Sequence, residues 1–185
     1  MTSLSTDTIP TGDYALDTSH SRLGFVARHA MVTKVRGAFN DFDGKAHIDG
    51  EDISRSRVEV TIDVDSIDTR NADRDGHLRS NDFLDIENHK QITFVSTEVA
   101  KVDDETVRIT GDLTIKGVTK PVTVDFTYEG AAVDPFGNQR VGFEGSVVIN
   151  RKDWGVTWNA ALEAGGVLVS EKVTLEFELS AIKAA

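Results

Sequence analysis

The chain has 185 residues, 39% of them hydrophobic and 28% charged, with 31 acidic side chains against 20 basic ones and a formal net charge of −11. That size suits one domain with a real core. The acidic balance removes the basic footprint a nucleic-acid binder needs, and it disfavours anionic membrane surfaces. With no cysteine, there can be no disulfide, thiolate nucleophile, iron–sulfur cluster or cysteine-held zinc.

Residues 1–13 are polar, with no basic side chain and no apolar run. They read as a flexible tail rather than a secretory signal, and the expected location is cytoplasmic. Residues 14–185 read as one domain. No apolar stretch approaches the roughly 18 residues of a membrane span, so stable membrane insertion is not expected.

In chain order, the first strands are expected at Tyr14–Thr18 and Arg22–Arg28. Between them, Asp17-Thr18-Ser19-His20-Ser21 gathers acid, nucleophile and base types. Triads assemble from separated segments, so this reads as a capped turn. Arg28, His29, Lys34 and Arg36 form a basic cluster within nine residues. They suit a solvated turn, or a site for an anionic or carbonyl head group near a barrel mouth. Gly37–Asp49 reads as one strand with a bulge near Asn40–Asp41, because Phe39 and Phe42 have opposite parity. Val58, Val60, Ile62 and Val64 alternate with polar residues, as a strand with one dry face requires.

A helix is expected from Asp73 to Asp85, with Leu78, Phe83, Leu84 and Ile86 as its apolar stripe. Its start, Asn71-x-Asp73-x-Asp75-Gly76, matches part of a calcium-loop spacing and has Asp82 at the twelfth position. Arg79 falls where a ligand should, and a strand precedes the loop instead of a helix. Acidic residues in the first helical turn are the simpler reading, because the dipole favours them there.

Further strands follow at Gln91–Lys101, Val107–Ile115, Val122–Tyr128, Val141–Ile149 and Val173–Leu179. Gly117–Pro121 reads as a tight hairpin, so its flanking strands should be antiparallel neighbours. Trp154 to Gly166 has mixed periodicity. The total is about nine strands and one short helix. The expected fold is all-β, a single antiparallel β-barrel closed on itself so that no edge is left exposed. Its inward parity mixes rings (Phe25, Phe94, Phe126, Phe143, Phe177) with glycines (Gly24, Gly111, Gly145). Such a mixture can leave a slot or interdigitate into a solid core. Trp154 and Trp158, four apart, can line an entrance or plug one end.

Several short motifs run in order along almost the whole chain. They are Tyr14-x-x-Asp17-x-x-His20-Ser21, Phe25-x-x-Arg28-His29 and Gly37-x-Phe39-x-x-Phe42-x-Gly44. Ser66-Ile67-Asp68-Thr69, Arg74-Asp75-x-His77-Leu78 and Ile92-x-Phe94 follow, then Gly111-x-Leu113-Thr114-Ile115-x-Gly117 and Arg151-x-Asp153-Trp154-Gly155. In this the chain resembles the YceI-like family of polyisoprenoid-binding proteins. The resemblance implies a lipocalin-like barrel around an elongated apolar cavity. It implies a polyisoprenoid, isoprenoid-quinone-like or other long-chain lipid as partner; it carries over no catalytic residue or cofactor, and no metal is expected.

The expected function is therefore non-catalytic sequestration or carriage of that lipid. The expected walls are Phe25, Phe39, Leu113, Phe94, Phe126, Phe143 and Phe177. Leu78 and Phe83 would close the cavity from the helix, and Trp154 and Trp158 from the loop. His29 with Arg28 or Arg36 would meet a head group. The alternatives are a lipid-modifying enzyme using a histidine base in the same cavity, and an interaction module with a filled core. The polar outer faces suit a monomer or homodimer.

Overall fold

The computed structural model describes residues 5–163 and 166–185. Eleven strands appear among them: β1 (Gly12–Leu16), β2 (Arg22–His29), β3 (Thr33–Phe39), β4 (Phe42–Ile48), β5 (Arg57–Asp63), β6 (Ile67–Asp68), β7 (Gln91–Lys101), β8 (Thr106–Ile115), β9 (Val118–Val133), β10 (Gln139–Asn150) and β11 (Lys172–Lys183). One helix, α1 (Ala72–Arg79), lies between β6 and β7. The hydrogen-bonded order β1-β4-β5-β7-β8-β9-β10-β11 returns to β1, which closes an eight-stranded antiparallel barrel. The closing pair joins Tyr14 to Lys183 and Leu16 to Ala181. Below it, the same edge of β11 pairs with β2 from Thr174 to Glu178, and β2, β3 and β6 continue the wall, with Leu23, Phe25, Phe39 and Ile67 facing the interior.

Three sequence expectations change in the structure. The bulged strand expected over Gly37–Asp49 is two strands, β3 and β4, turned at Asn40–Asp41. The turn brings Phe39 and Phe42 to the same side although their parity differs. The expected helix over Asp73–Asp85 stops at Arg79, because Ser80 leaves the helical region and donates its hydroxyl to the His77 carbonyl at 2.6 Å. The hairpin expected over Gly117–Pro121 turns on Lys116 and Gly117 alone, both at positive φ, and Pro121 lies within β9.

The expected domain start at residue 14 also lies inside β1. Ile9 is 3% exposed and packs with Tyr14, Ile48, Tyr128 and Val141 at one end of the barrel. Hydrogen bonding explains why this polar segment is ordered: Thr6 N–H donates to the Asp104 carbonyl at 2.7 Å, and Tyr14 hydroxyl to Pro10 at 2.6 Å. Burial, then the neighbouring Tyr128, pushes the Tyr14 phenol up to about 12. The part of the expected tail at residues 1–4 lies outside the described residues.

At the rim of that end, Arg140 bridges two carboxylates, Asp17 at 2.5 Å and Asp134 at 2.7 Å. The Arg140 contact, then Ser19 and His20, holds Asp17 well below the usual carboxylate range. The Asn138 amide, then Arg140, lowers Asp134 to about 2. Carboxylates with depressed folded values stabilise the native state above the unfolded value near 4, and lose that contribution as pH falls through the folded values. An Arg140→Ala variant is therefore expected to melt a few degrees lower at neutral pH. The gap should narrow as acid protonates both carboxylates, between about pH 4 and about pH 2 and below. Thermal melts across that range check both the loss and its direction.

Candidate functional site

The inner face of the barrel is apolar, and its side chains do not fill it. An internal cavity of about 320 Å³ runs along the barrel. Its walls extend from Tyr14, Ile48, Val99 and Ala181 at one end to Leu78, Phe83, Arg151 and Trp154 at the other. The register explains the unfilled space. On the inner wall, rings lie over glycines instead of pointing at one another. Gly145 pairs with Phe126 across β10 and β9, and a Cβ there would sit 2.8 Å from the Phe126 ring. Gly37 lies under Phe25 and Gly111 under Phe94 in the same way. Flattened against the wall, these rings leave the axis open. Phe25, Phe39, Phe94, Ile109, Phe143, Leu175 and Phe177 consequently remain only half-buried although they face inward. The filled-core alternative is thereby overturned.

The structure places Phe25, Phe39, Leu78, Phe83, Phe94, Leu113, Phe126, Phe143, Trp154 and Phe177 on the cavity wall. Trp158 stands behind that wall. Its ring meets Phe83 at 5.3 Å and His77 at 4.7 Å, so it backs the cap without lining it. Trp154 is 3% exposed, with its indole N–H donating to the Leu113 carbonyl at 2.8 Å.

The head-group candidates fall elsewhere. Arg28 pairs with Lys34, and Arg36 with Val26, on the outward parity of β2 and β3. Arg36 reaches Glu176 at 3.4 Å on the outer surface. His29 has inward parity, but it lies where β2 runs past the barrel end, and it is exposed. Strand alternation decides this: residues next to each other in sequence, such as Arg28 and Ala27, face opposite sides. The Ser19–His20–Asp17 cluster sits on the rim, with Asp17 held by Arg140, and His20 is exposed. In the calcium-like loop, Asn71 caps α1 through the Arg74 amide at 3.0 Å. Asp75 accepts from Thr69 N–H and hydroxyl at 2.9 and 2.5 Å, and Asp82 meets His77 at 2.8 Å. Asn71, Asp75 and Asp82 are thus committed to holding the helix.

Arg151 is a buried charged wall residue that patterning missed. It follows β10 at the closed end and is 7% exposed. Its guanidinium donates to the carbonyls of Ser170 at 2.8 Å, Val156 at 2.7 Å, Trp158 at 3.0 Å and Val169 at 3.2 Å. It thereby ties two stretches of the loop between β10 and β11 into a cap, and it lies 6.0 Å from the Phe83 ring. Burial lowers its pKa from the ordinary guanidinium value, and Glu171 opposes that. An arginine stays protonated even so, and it is the residue best able to satisfy several fixed carbonyls at once. The signal in the sequence was its place in Arg151-x-Asp153-Trp154-Gly155; its partners were not readable there.

Comparison with known proteins matches a YceI-like domain to residues 14–181. A UPF0312 protein of Pseudomonas aeruginosa is 44% identical over 146 residues, covering 78% of this chain and 76% of its own length. One from Staphylococcus epidermidis is 41% identical over 169 residues, covering 91% and 95%. Among solved structures, Burkholderia cenocepacia BcnA superposes with a TM-score of 0.79 at 26% identity, over 89% of this chain and 98% of its own. A polyisoprenoid binding domain from Saccharophagus degradans shares the fold at a TM-score of 0.71 and 16% identity, over 95% and 100%.

Removing Arg151 leaves the Val156, Trp158 and Ser170 carbonyls to find other partners, while Val169 keeps the Asn159 amide at 2.7 Å. An Arg151→Met variant is expected to lose about 3 kcal/mol or more of stability. Arg151→Lys should recover only part of it, since an ammonium cannot span the same fork. Urea unfolding of the three proteins checks this.

Proposed function

The chain belongs to the YceI-like domain family, and from that membership we propose that it is a non-catalytic binding protein that sequesters or carries a long polyisoprenoid or isoprenoid-quinone-like lipid inside its barrel. One observation carries the reading: inward-facing aromatic and aliphatic side chains in a closed sheet leave a dry, elongated cavity. A branched hydrocarbon needs apolar walls and little hydrogen bonding, and its expulsion from water supplies the drive. With about 30 non-hydrogen atoms at roughly 0.3 kcal/mol each, such a ligand would gain about 9 kcal/mol, a sub-micromolar affinity. The polyisoprenoid binding named for the Saccharophagus domain supports the same ligand class here.

Among the described residues the cavity wall holds no histidine and no carboxylate. Its polar members are Tyr14, Lys45, Ser56 and Arg151. Tyr14 and Arg151 both spend their polar groups on backbone carbonyls. That supports holding a lipid over transforming it. A general acid or base would need to reach the ligand, and His29 and His20 both lie outside.

Organic extraction and mass spectrometry of the purified protein should recover a long-chain apolar lipid, and a fluorescent polyene should compete for the same space. Ile109→Trp places a large ring on the cavity wall. It is expected to lower polyene affinity at least about tenfold while the protein still melts cooperatively. Recovery of no lipid together with no polyene binding by the parent protein would refute the carrier reading.

A further inference from the structure

We propose that the β2–β3 hairpin is a docking tip for an anionic phospholipid bilayer, seating the Arg151 end of the barrel against the membrane for lipid exchange. The proposal rests on the carrier reading for its purpose, but not for its geometry.

The tip is unusual in its backbone. The Val32 amide closes the turn onto the His29 carbonyl at 3.1 Å, and the two central residues, Ala30 and Met31, have φ of 52° and 67°. A turn of this kind ordinarily uses asparagine and glycine, because a side chain crowds the left-handed region. The Lys116–Gly117 hairpin of the same barrel follows that habit at its second position. The β2–β3 tip does not, and the two side chains it holds outward are apolar: Met31 is 58% exposed and Val32 76%. Strain retained to present exposed hydrophobic groups calls for a partner.

The surroundings indicate which partner. Arg28 and Lys34 pair across the hairpin directly behind the tip. Arg22, Lys34, Arg36, Arg70 and Arg74 line a solvent-open groove along the outer side of β3. Six cations thus gather on one face of a chain whose net charge is −11. The carboxylates on that face include Asp68, which accepts from Asn40 and the Arg70 amide, Glu176, which pairs with Arg36, and Glu178, which lies opposite Arg22 across β2 and β11. Among the described residues, Arg28, Lys34 and Arg70 form no ion pair. Charges farther off than about 10 Å are largely screened at ordinary salt, so a bilayer against this face meets the local cations and not the average of the molecule.

An exposed apolar side chain at the other end provides the contrast. Phe136, 88% exposed, tips the β9–β10 hairpin at the opposite end, where its amide donates to Asp134. An anionic surface is repelled there. The β2–β3 tip also touches the cap: the Ala30 amide donates to the Leu168 carbonyl at 2.7 Å, and His29 bridges to Val169, whose carbonyl Arg151 holds. Docking at Met31 and Val32 therefore lays the cap of the cavity on the membrane.

The test is flotation of the full chain with phosphatidylcholine vesicles, with and without about one-third phosphatidylglycerol. The parent protein should float with the anionic vesicles, less so as salt rises, and not with phosphatidylcholine alone. Arg28→Glu with Lys34→Glu, and separately Met31→Ser with Val32→Ser, should each lose at least about tenfold in partitioning. Phe136→Ser should lose none. The chain has no cysteine, so Val32→Cys takes a single environment-sensitive dye, which should brighten on anionic vesicles only. Co-purifying lipid measured in the same variants separates the two claims: retained lipid with lost flotation supports the tip and leaves the carrier reading intact. The proposal fails if the parent does not float with anionic vesicles at low salt, or if the tip variants float unchanged. It also fails if the tip instead mediates a concentration-dependent dimer that Met31→Ser abolishes.

Discussion

The closing contact between β1 and β11 sets the terms for the rest of the molecule. Once Tyr14 pairs with Lys183 and Leu16 with Ala181, eight strands form a ring whose circumference is fixed by hydrogen-bond geometry, not by side-chain volume. The interior then has a set size, and whether it is solid or hollow depends on what stands on the inner parity. Here glycines sit beneath aromatic rings, so Phe25, Phe94 and Phe126 lie against the wall. Close packing is satisfied locally, between ring and backbone, and left unsatisfied along the axis. A solid core would close that space; this arrangement keeps it open and dry.

The two ends of the barrel are closed by different chemistry. At one, Ile9, Tyr14, Ile48, Tyr128 and Val141 pack as an ordinary apolar plug, with Arg140 joining Asp17 and Asp134 at the rim. At the other, a single buried guanidinium gathers backbone carbonyls from an irregular loop. A loop over an apolar cavity cannot leave its carbonyls unpaired, and Arg151 supplies the donors that a strand would have provided. The ring group of His77, Phe83 and Trp158 packs outside it, so the cap combines a polar knot with an aromatic shell.

Much of the site was legible in the sequence. Period-two alternation puts the wall phenylalanines on the inner parity, and ten of the residues expected to face a ligand stand on the cavity wall. Closeness in sequence misleads where it is not closeness in space. Arg28 and Arg36 were grouped with His29 by closeness in sequence, yet the pleat turns both arginines outward. Phe39 and Phe42 looked like one bulged strand because a tight turn and a bulge shift parity alike. Trp158 was placed on the wall by its spacing from Trp154, but the chain between them is a turn, not a helix, so four residues do not return to one face.

By itself, the sequence determined the strand-rich class, the apolar inner parity, the alternation of rings and glycines, and the family. All of these are local or periodic properties that each segment carries without its neighbours. The tertiary structure decided which strands close the ring, that the rings cover the glycines across strands, and that Arg151 faces four carbonyls. It also decided that the basic residues collect outside, behind an exposed tip. These depend on register and on loop paths between segments far apart in the chain. The free energy that selects them comes from closure and burial of the whole sheet, and no single stretch of residues encodes it.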